Sequence, residues 1–147
     1  MTAPTPEATF AQNLAQAHAA LRAGRAATAE HQLRALDAQF PGEANCRWLL
    51  GAALLEQGKI AESLAMLEGV LARMPDFAHA RVDLARAYRR DGRAAHAREE
   101  VRRVLENLPQ HHLAWLAYGD VLVDLEQYAD ARLAFERAAH RSPAAAC

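Results

Sequence analysis

Apolar and small residues recur along this chain at a fixed interval of 34 residues. Two columns are always apolar, and two columns are always glycine, alanine or serine. The apolar columns are Leu33, Leu67, Val101 and Phe135, followed by Leu36, Val70, Val104 and Ala138; the small columns are Ala17, Gly51, Ala85 and Gly119, followed by Ala29, Ser63, Ala97 and Ala131. Self-similarity at a fixed period of roughly 20–50 residues is typical of solenoids. The pattern therefore predicts a tandem repeat.

Glycine and proline mark the ends of the elements within each repeat. They recur in the same 34-residue register, at Gly24, Gly58 and Gly92 and at Pro41, Pro75, Pro109 and Pro143. The second repeat predicts helix A over about 44–57, a turn at Gly58, helix B over 60–73 and a stop at Pro75. Glycine can adopt the positive φ that closes a helix, and proline cannot continue one. Abundant alanine and few β-branched residues also favour an all-α chain.

The small columns have a physical explanation in such a hairpin. Where helix A crosses helix B, a small residue lets the two backbones approach, while Leu67 or Phe135 fills the space beside the crossing. One position departs from the pattern, because Glu126 stands where the other repeats have the turn glycine. We expect that turn either to be strained or to be supported by packing of Tyr128.

The repeat resembles the tetratricopeptide repeat family, whose signature is W-x-x-L-G-x-x-Y, then A-x-x-x-F, then P. The matching residues are Trp115, Gly119, Leu122, Ala131, Phe135 and Pro143 in the fourth repeat and Leu50, Gly51, Leu54, Gly58, Ser63, Leu67 and Pro75 in the second. The resemblance implies an all-α, right-handed α-solenoid of four hairpins, at 10–43, 44–77, 78–111 and 112–143. Residues 1–9 and 144–147 are predicted tails, although Thr5-Pro6-Glu7 also suits the cap of a longer first helix.

The same resemblance implies that the A helices line a concave wall that holds another protein or peptide. The residues that avoid the hairpin crossing form a second stripe on each helix A. The candidate binding residues are Leu14, His18, Trp48, Leu49, Leu55, Val82, Asp83, Arg86, Arg89, Leu116 and Asp120. We expect an apolar anchor near Trp48 and polar contacts near Arg86. The Lys and Asn clamp with which the chaperone-tail subfamily holds a peptide carboxylate is absent at Leu14, His18, Leu49 and Asp83.

Each of these assignments has a plainer alternative. Trp48 is either an aromatic anchor for a partner or a residue that packs between the first two repeats. Arg86 and Arg89 either contact the partner or form a solvated face balanced by Asp83 and Asp91, since surface ion pairs contribute little to stability. The residues alone leave both choices open.

Charge and hydropathy exclude several other partners. A net charge of −1 and a pI near 6.7 do not fit a nucleic-acid binder, which usually carries a basic stripe. The N-terminal segment MTAPTPEATF lacks the features of a signal peptide. No apolar run approaches the roughly 18 residues of a membrane span. We therefore expect a cytoplasmic protein that binds neither nucleic acid nor membrane.

Candidate chemistry is sparse. No His-x-x-x-His pair occurs on a predicted helix, and no cysteine or carboxylate accompanies a histidine at ligand spacing. Cys46 lies on an apolar stripe and is predicted to be a small buried hydrophobic residue, and Cys147 is the last residue. No phosphate-binding loop, dinucleotide fingerprint or nucleophile elbow is present. We predict no catalytic residue, no metal and no cofactor.

The last predicted helix raises a further question. A solenoid usually closes with a polar capping helix, because its last hairpin otherwise exposes the face that a successor would cover. Leu133, Ala134 and Ala138 are expected to lack such a neighbour. Two alternatives to a scaffold that stands alone follow. The chain is either the repeat portion of a larger bacterial enzyme, such as the tetratricopeptide–sulfotransferases whose N-terminal repeats the third and fourth repeats resemble, or a homo-oligomer formed through the last helix.

Overall fold

The computed structural model describes residues 2–141, and within this range the chain forms α-helices and no strand. The helices are α1 (Pro6–Arg22), α2 (Ala26–Gln39), α3 (Ala44–Glu56), α4 (Ile60–Arg73), α5 (Ala78–Arg90), α6 (Ala94–Asn107), α7 (His112–Asp124) and α8 (Tyr128–Arg141). The predicted all-α class is confirmed, and α3 and α4 match helices A and B of the second repeat closely. Pro143, Cys147 and the tail 144–147 lie outside the described residues.

The chain divides into two compact units, Met1–Pro75 (unit 1) and Asp76–Cys147 (unit 2), each with two hairpins. In unit 1, α1, α2, α3 and α4 pack consecutively, and α1 also contacts α3. In unit 2, α5, α6, α7 and α8 pack consecutively, and α5 also contacts α7. Within each unit the two A helices therefore lie side by side, and successive hairpins bury each other's apolar stripes.

All four hairpin turns share one hydrogen-bond pattern. After α3, Gly58 donates to the carbonyl of Leu55 at 2.9 Å and Lys59 donates to that of Leu54 at 2.9 Å. This is the Schellman motif, which needs a left-handed residue just beyond the helix. Gly24, Gly58 and Gly92 supply that residue with φ of 80°, 78° and 78°, and Glu126 supplies it with φ of 60°. Glu126 thus adopts a left-handed backbone that is strained for a residue other than glycine, which agrees with the first of the two alternatives expected for this turn.

The B helices end where the sequence predicts. Phe40, Met74 and Leu108 follow α2, α4 and α6 with φ near −130° and ψ between 72° and 79°. Each of these residues precedes a proline of the 34-residue register, and proline disfavours the helical conformation in the residue before it. Pro41, Pro75 and Pro109 therefore determine where α2, α4 and α6 end.

The first helix is longer than the predicted repeat boundary. It begins at Pro6, and the Thr5 hydroxyl accepts a hydrogen bond from the Ala8 amide at 3.1 Å. Proline is favoured at the first helical position, because its missing N–H has no helical partner to lose. The assignment of residues 6–9 to a tail is wrong, and the alternative in which Thr5–Glu7 cap an extended helix is confirmed.

The small columns form the hairpin crossings, as predicted. A Cβ placed on Gly51 would lie 2.7 Å from both Cγ and Cδ2 of Leu67, and one placed on Gly119 would overlap the ring of Phe135. At the α3–α4 crossing, the buried Ser63 hydroxyl donates to the Gly51 carbonyl at 2.8 Å. These contacts hold α3 and α4 at a separation that a larger side chain would increase.

Candidate protein-binding surfaces

The side-by-side A helices bring the candidate residues together within each unit. In unit 1, α1 and α3 place Leu14, His18 and Trp48 on one wall, with the rings of His18 and Trp48 6.1 Å apart. All three side chains are half-buried, and Leu14 and Trp48 also pack against the core of this unit. The Trp48 indole thus has one part fixed by packing and another part open to solvent.

Three of the candidate residues are not available to a partner. Leu49, Leu55 and Val82 are only 2%, 0% and 5% exposed, so their assignment to a binding wall is corrected. All residues of α3 from Leu49 to Leu55 are buried, because this helix is apolar on every side and such a helix packs on every side. Val82 belongs to the apolar core of unit 2.

Helix α7 carries the more open apolar surface. Leu113, Leu116 and Val123 are 41%, 42% and 39% exposed, and Asp120 is exposed between them. Their spacing of three, four and three residues places them along one face of the helix. Leu116 and Asp120 were predicted here, and Leu113 and Val123 extend the same stripe by one turn at each end. We call these four residues the α7 stripe.

Ion pairs account for the charged candidate residues of unit 2. The guanidinium of Arg86 donates to Asp83 on its own helix at 3.0 Å, and Arg89 of α5 donates twice to Asp124 of α7, at 2.6 and 3.3 Å. The expected balance of charge on this face is therefore present, with Asp124 rather than Asp91 as the partner of Arg89. The bidentate pair links the C-terminal ends of the two A helices.

Histidines cluster at the start of α7. The ring of His111 lies 5.3 Å from that of His79 and 6.4 Å from that of His112, and its Nδ1 accepts a hydrogen bond from the Ala114 amide at 3.2 Å. Burial, then the neighbouring His79 and His112, lowers the pKa of His111. Nδ1 therefore stays an acceptor and caps the helix. Within residues 2–141 no group of three or more His, Cys, Asp and Glu side chains is arranged to hold a metal ion.

The remaining candidates have structural roles. Cys46 is buried as predicted, its thiol donates weakly to the Leu33 carbonyl at 3.4 Å, and burial raises its pKa to about 11. Leu133 is exposed, but Ala134 and Ala138 are buried, so the prediction that both alanines lack a neighbour is wrong. Ala134 packs with Leu122 in the last hairpin.

No helix of the described part of the chain combines the length and the apolar character that a bilayer crossing requires. This result agrees with the hydropathy of the sequence. Among the described residues, the candidate side chains of the A helices are half-buried in unit 1, at Leu14, His18 and Trp48, and more exposed in unit 2, at Leu116 and Asp120.

Comparisons with known proteins identify the repeat. Two family models described as tetratricopeptide repeat match residues 14–76 and 54–118. The crystal structure of TTC0263, a thermophilic TPR protein of Thermus thermophilus, is similar with a TM-score of 0.82 and 18% identity, over 88% of this chain and 72% of that one. A crystal structure of MamA has a TM-score of 0.71 and 17% identity, over 90% and 77%.

A third similar structure is MamA 41-end from Desulfovibrio magneticus RS-1, with a TM-score of 0.71 and 17% identity over 91% of this chain and 76% of that one. At these identities the likeness shows the fold. No curated protein sequence matches the chain. The 34-residue register, the four Schellman turns and the two matching family models lead to one conclusion: this chain belongs to the tetratricopeptide repeat family.

Proposed function

We propose that this chain is a scaffold that binds a peptide or helix of another protein on the open faces of its A helices. The observation that carries the proposal is the α7 stripe, where three large apolar side chains are about 40% exposed on one helix face. Isolated exposed apolar residues are normal, but residues that share a contiguous face often mark an interaction site. Trp48 with Leu14 and His18 in unit 1 provides a second contact surface.

The chemistry of the α7 stripe defines the kind of ligand that fits. Leu113, Leu116 and Val123 suit the apolar side of an amphipathic segment, and Asp120 suits a donor placed between its apolar residues. The nearby Arg89–Asp124 pair offers charges of both signs, so a partner can pair with either only by competing with the existing ion pair. Affinity then comes mainly from apolar burial, and charge mainly orients the segment.

The proposal is tested with a purified partner obtained by affinity capture with the intact chain and identified by mass spectrometry. Titration calorimetry then compares the wild type with Leu116→Glu and with Leu133→Glu. Leu133 lies on α8, is exposed and is not part of an A helix, so its substitution is a matched control for the added charge. We expect Leu116→Glu to weaken binding at least about 30-fold, as for a contact in the centre of an interface.

The same titration assigns a role to Trp48. If Trp48 is an anchor, Trp48→Ala weakens binding while the helical content remains unchanged. Full binding by both Trp48→Ala and Leu116→Glu would refute the proposal for both units. The proposal assigns no catalytic role to any residue.

The larger-enzyme alternative has no support from the comparisons. Neither the matching family models nor the structures named above are described as a sulfotransferase. The homo-oligomer alternative rests on exposed residues of the last hairpin, chiefly Tyr128 and Leu133. Light scattering on the wild type and on Leu133→Glu tests it, since a monomeric wild type or an unchanged mass in the variant excludes that surface.

A further inference from the structure

The last hairpin has an open groove that corresponds to a filled position elsewhere in the chain. The groove has a volume of about 430 Å³ and lies between Val123, Tyr128, Phe135 and Ala139. Phe135 is half-buried, whereas Leu33, Leu67 and Val101 in the same column are completely buried. The groove is therefore the side of a B helix on which the next helix A packs.

Unit 1 shows how such a position is filled. Helix α2 packs against α3, and the following turn brings Gln57 and Lys59 to the carboxylate of Glu30 at 2.8 and 2.9 Å. Arg34, one turn along α2, donates to Glu30 at 2.7 Å and lies 3.4 Å from Glu62 of α4. The incoming hairpin thus presents a base to Glu30 and an acid to Arg34.

The open groove carries the opposite order of charges. In the 34-residue register, Arg132 stands at the position of Glu30 and Glu136 at the position of Arg34. The two form an ion pair of 3.2 Å along α8, with side chains 81% and 52% exposed. Suppose that a hairpin packs on α8 as α3 and α4 pack on α2. Its residue equivalent to Lys59 would then lie opposite the base Arg132, and its residue equivalent to Glu62 would lie opposite the acid Glu136.

No repeat of this chain complements that order. The residues equivalent to Lys59 are Arg25, Arg93 and Gln127, and those equivalent to Glu62 are Thr28, His96 and Asp130. A second copy that docks in register through its first hairpin would place Arg25 against Arg132, and like charges in contact are unfavourable.

We propose that the groove of α8 is a second docking site for a helical hairpin of another protein, with an acidic residue opposite Arg132 and a basic residue opposite Glu136. The apolar floor of Val123, Phe135 and Ala139 takes the apolar stripe of the incoming helix. The groove shares Val123 with the α7 stripe, but Arg132, Glu136 and Ala139 belong to α8, so substitutions on α8 test this site separately from the proposed function.

The test uses two synthetic hairpins based on residues 44–73 with Cys46→Ser. One keeps Lys59 and Glu62, and the other carries Lys59→Glu and Glu62→Lys. Fluorescence anisotropy measures their binding to the intact chain. We expect the charge-reversed hairpin to bind roughly tenfold more tightly, because two surface ion pairs replace two like-charge contacts.

Variants of the intact chain then locate the contact. The double substitution Arg132→Glu with Glu136→Arg should invert the preference between the two hairpins. Ala139→Glu, at an exposed residue of α8 that lines the groove, should weaken the binding of both hairpins. The proposal is overturned if neither hairpin binds, if both bind equally, or if the charge swap leaves the preference unchanged. A wild-type dimer in light scattering that becomes monomeric on Ala139→Glu would also overturn the proposal, because the occupant would then be a second copy.

Discussion

Two helical glycines of unit 1 provide a matched test of how tightly the hairpins pack. Gly51→Ala and Gly69→Ala both replace glycine inside a helix, which by itself stabilises by about 1 kcal/mol. A Cβ at Gly69 of α4 would have no other atom within 4 Å, whereas a Cβ at Gly51 would lie 2.7 Å from Cγ and Cδ2 of Leu67. The same substitution is therefore expected to change stability in opposite directions.

The magnitude at Gly51 follows from the size of the overlap. Carbon atoms prefer separations of about 3.5–4.0 Å, so Leu67 or the helix must move by about 1 Å. Rotation about χ2 of Leu67 cannot remove the overlap, since Cγ is itself too close. Rotation about χ1 would move Cγ, but Leu67 is completely buried, so another rotamer would meet the neighbouring core. Overpacking of this kind costs about 1–3 kcal/mol. After the helix gain of about 1 kcal/mol is subtracted, we expect a net loss of up to about 2 kcal/mol for Gly51→Ala and a gain of about 1 kcal/mol for Gly69→Ala.

The first repeat provides an informative comparison, because Ala17 and the buried Leu33 coexist there. At the equivalent crossing of the second repeat, the Ser63–Gly51 hydrogen bond of 2.8 Å holds the helices together, and the first repeat has Ala29 at the position of Ser63. The double variant Gly51→Ala with Leu67→Val reproduces the Ala85 and Val101 pair of the third repeat. We expect it to recover part of the stability that Gly51→Ala loses.

Urea unfolding followed by far-UV circular dichroism measures these differences for the wild type, the two single variants and the double variant. Each kcal/mol should also shift the melting temperature by about 2–4 °C in a chain of this size. If Gly51→Ala stabilises as much as Gly69→Ala, the crossing is loose enough to admit a methyl group, and the proposed reason for the small column is incorrect.

Three further predictions concern caps and charges. Glu126→Gly should raise the free energy of unfolding by about 0.5–1 kcal/mol, because relief of the left-handed backbone outweighs the added freedom of the unfolded glycine; a lower urea midpoint would contradict this. Hydrogen bonds from Arg34, Lys59 and Gln57 lower the pKa of Glu30 from 4.5 to about 2. The stability that ionised Glu30 contributes above pH 4.5 should therefore be lost as the pH falls towards 2. Acid titrations followed by circular dichroism should show a smaller loss for Glu30→Gln than for the wild type. Burial and the neighbouring His79 and His112 lower the pKa of His111, so its Nδ1 cap should stabilise α7 at pH 7.5 and lose this effect as the pH falls through the folded pKa. Asparagine caps a helix without titrating. His111→Asn should therefore show a smaller change than the wild type in the protection factor of the Ala114 amide against hydrogen exchange between pH 7.5 and 5.

The local structure of this chain was predictable because each signal acts on its own neighbourhood. Gly58 and Pro75 mark the ends of α3 and α4 through backbone preferences that need no distant partner. The small column at Gly51 was also predictable, since a single crossing explains it. The start of α1 at Pro6 was less certain, because the 34-residue register does not extend before the first repeat and only the cap of Thr5 reveals it.

The candidate binding residues were harder to predict. Helical periodicity identifies which residues share a face but not how many faces meet a neighbour. Leu49 and Leu55 were therefore assigned to a wall although every residue of α3 from Leu49 to Leu55 is buried. The unbroken apolar run of that segment was the available signal. The Arg89–Asp124 pair joins residues 35 positions apart, so it depends on how α5 packs against α7.

The sequence by itself determined the repeat, the helix boundaries after the first helix, the turn conformations and the family. Each of these follows from local backbone preferences or from a 34-residue pattern that recurs in every repeat. Only the tertiary structure decided which apolar side chains stay open, as Leu116 does and Val82 does not, and how the charges around Glu30 are partnered. Burial and ion pairing depend on which helices pack together, and residues far apart in the chain supply those contacts.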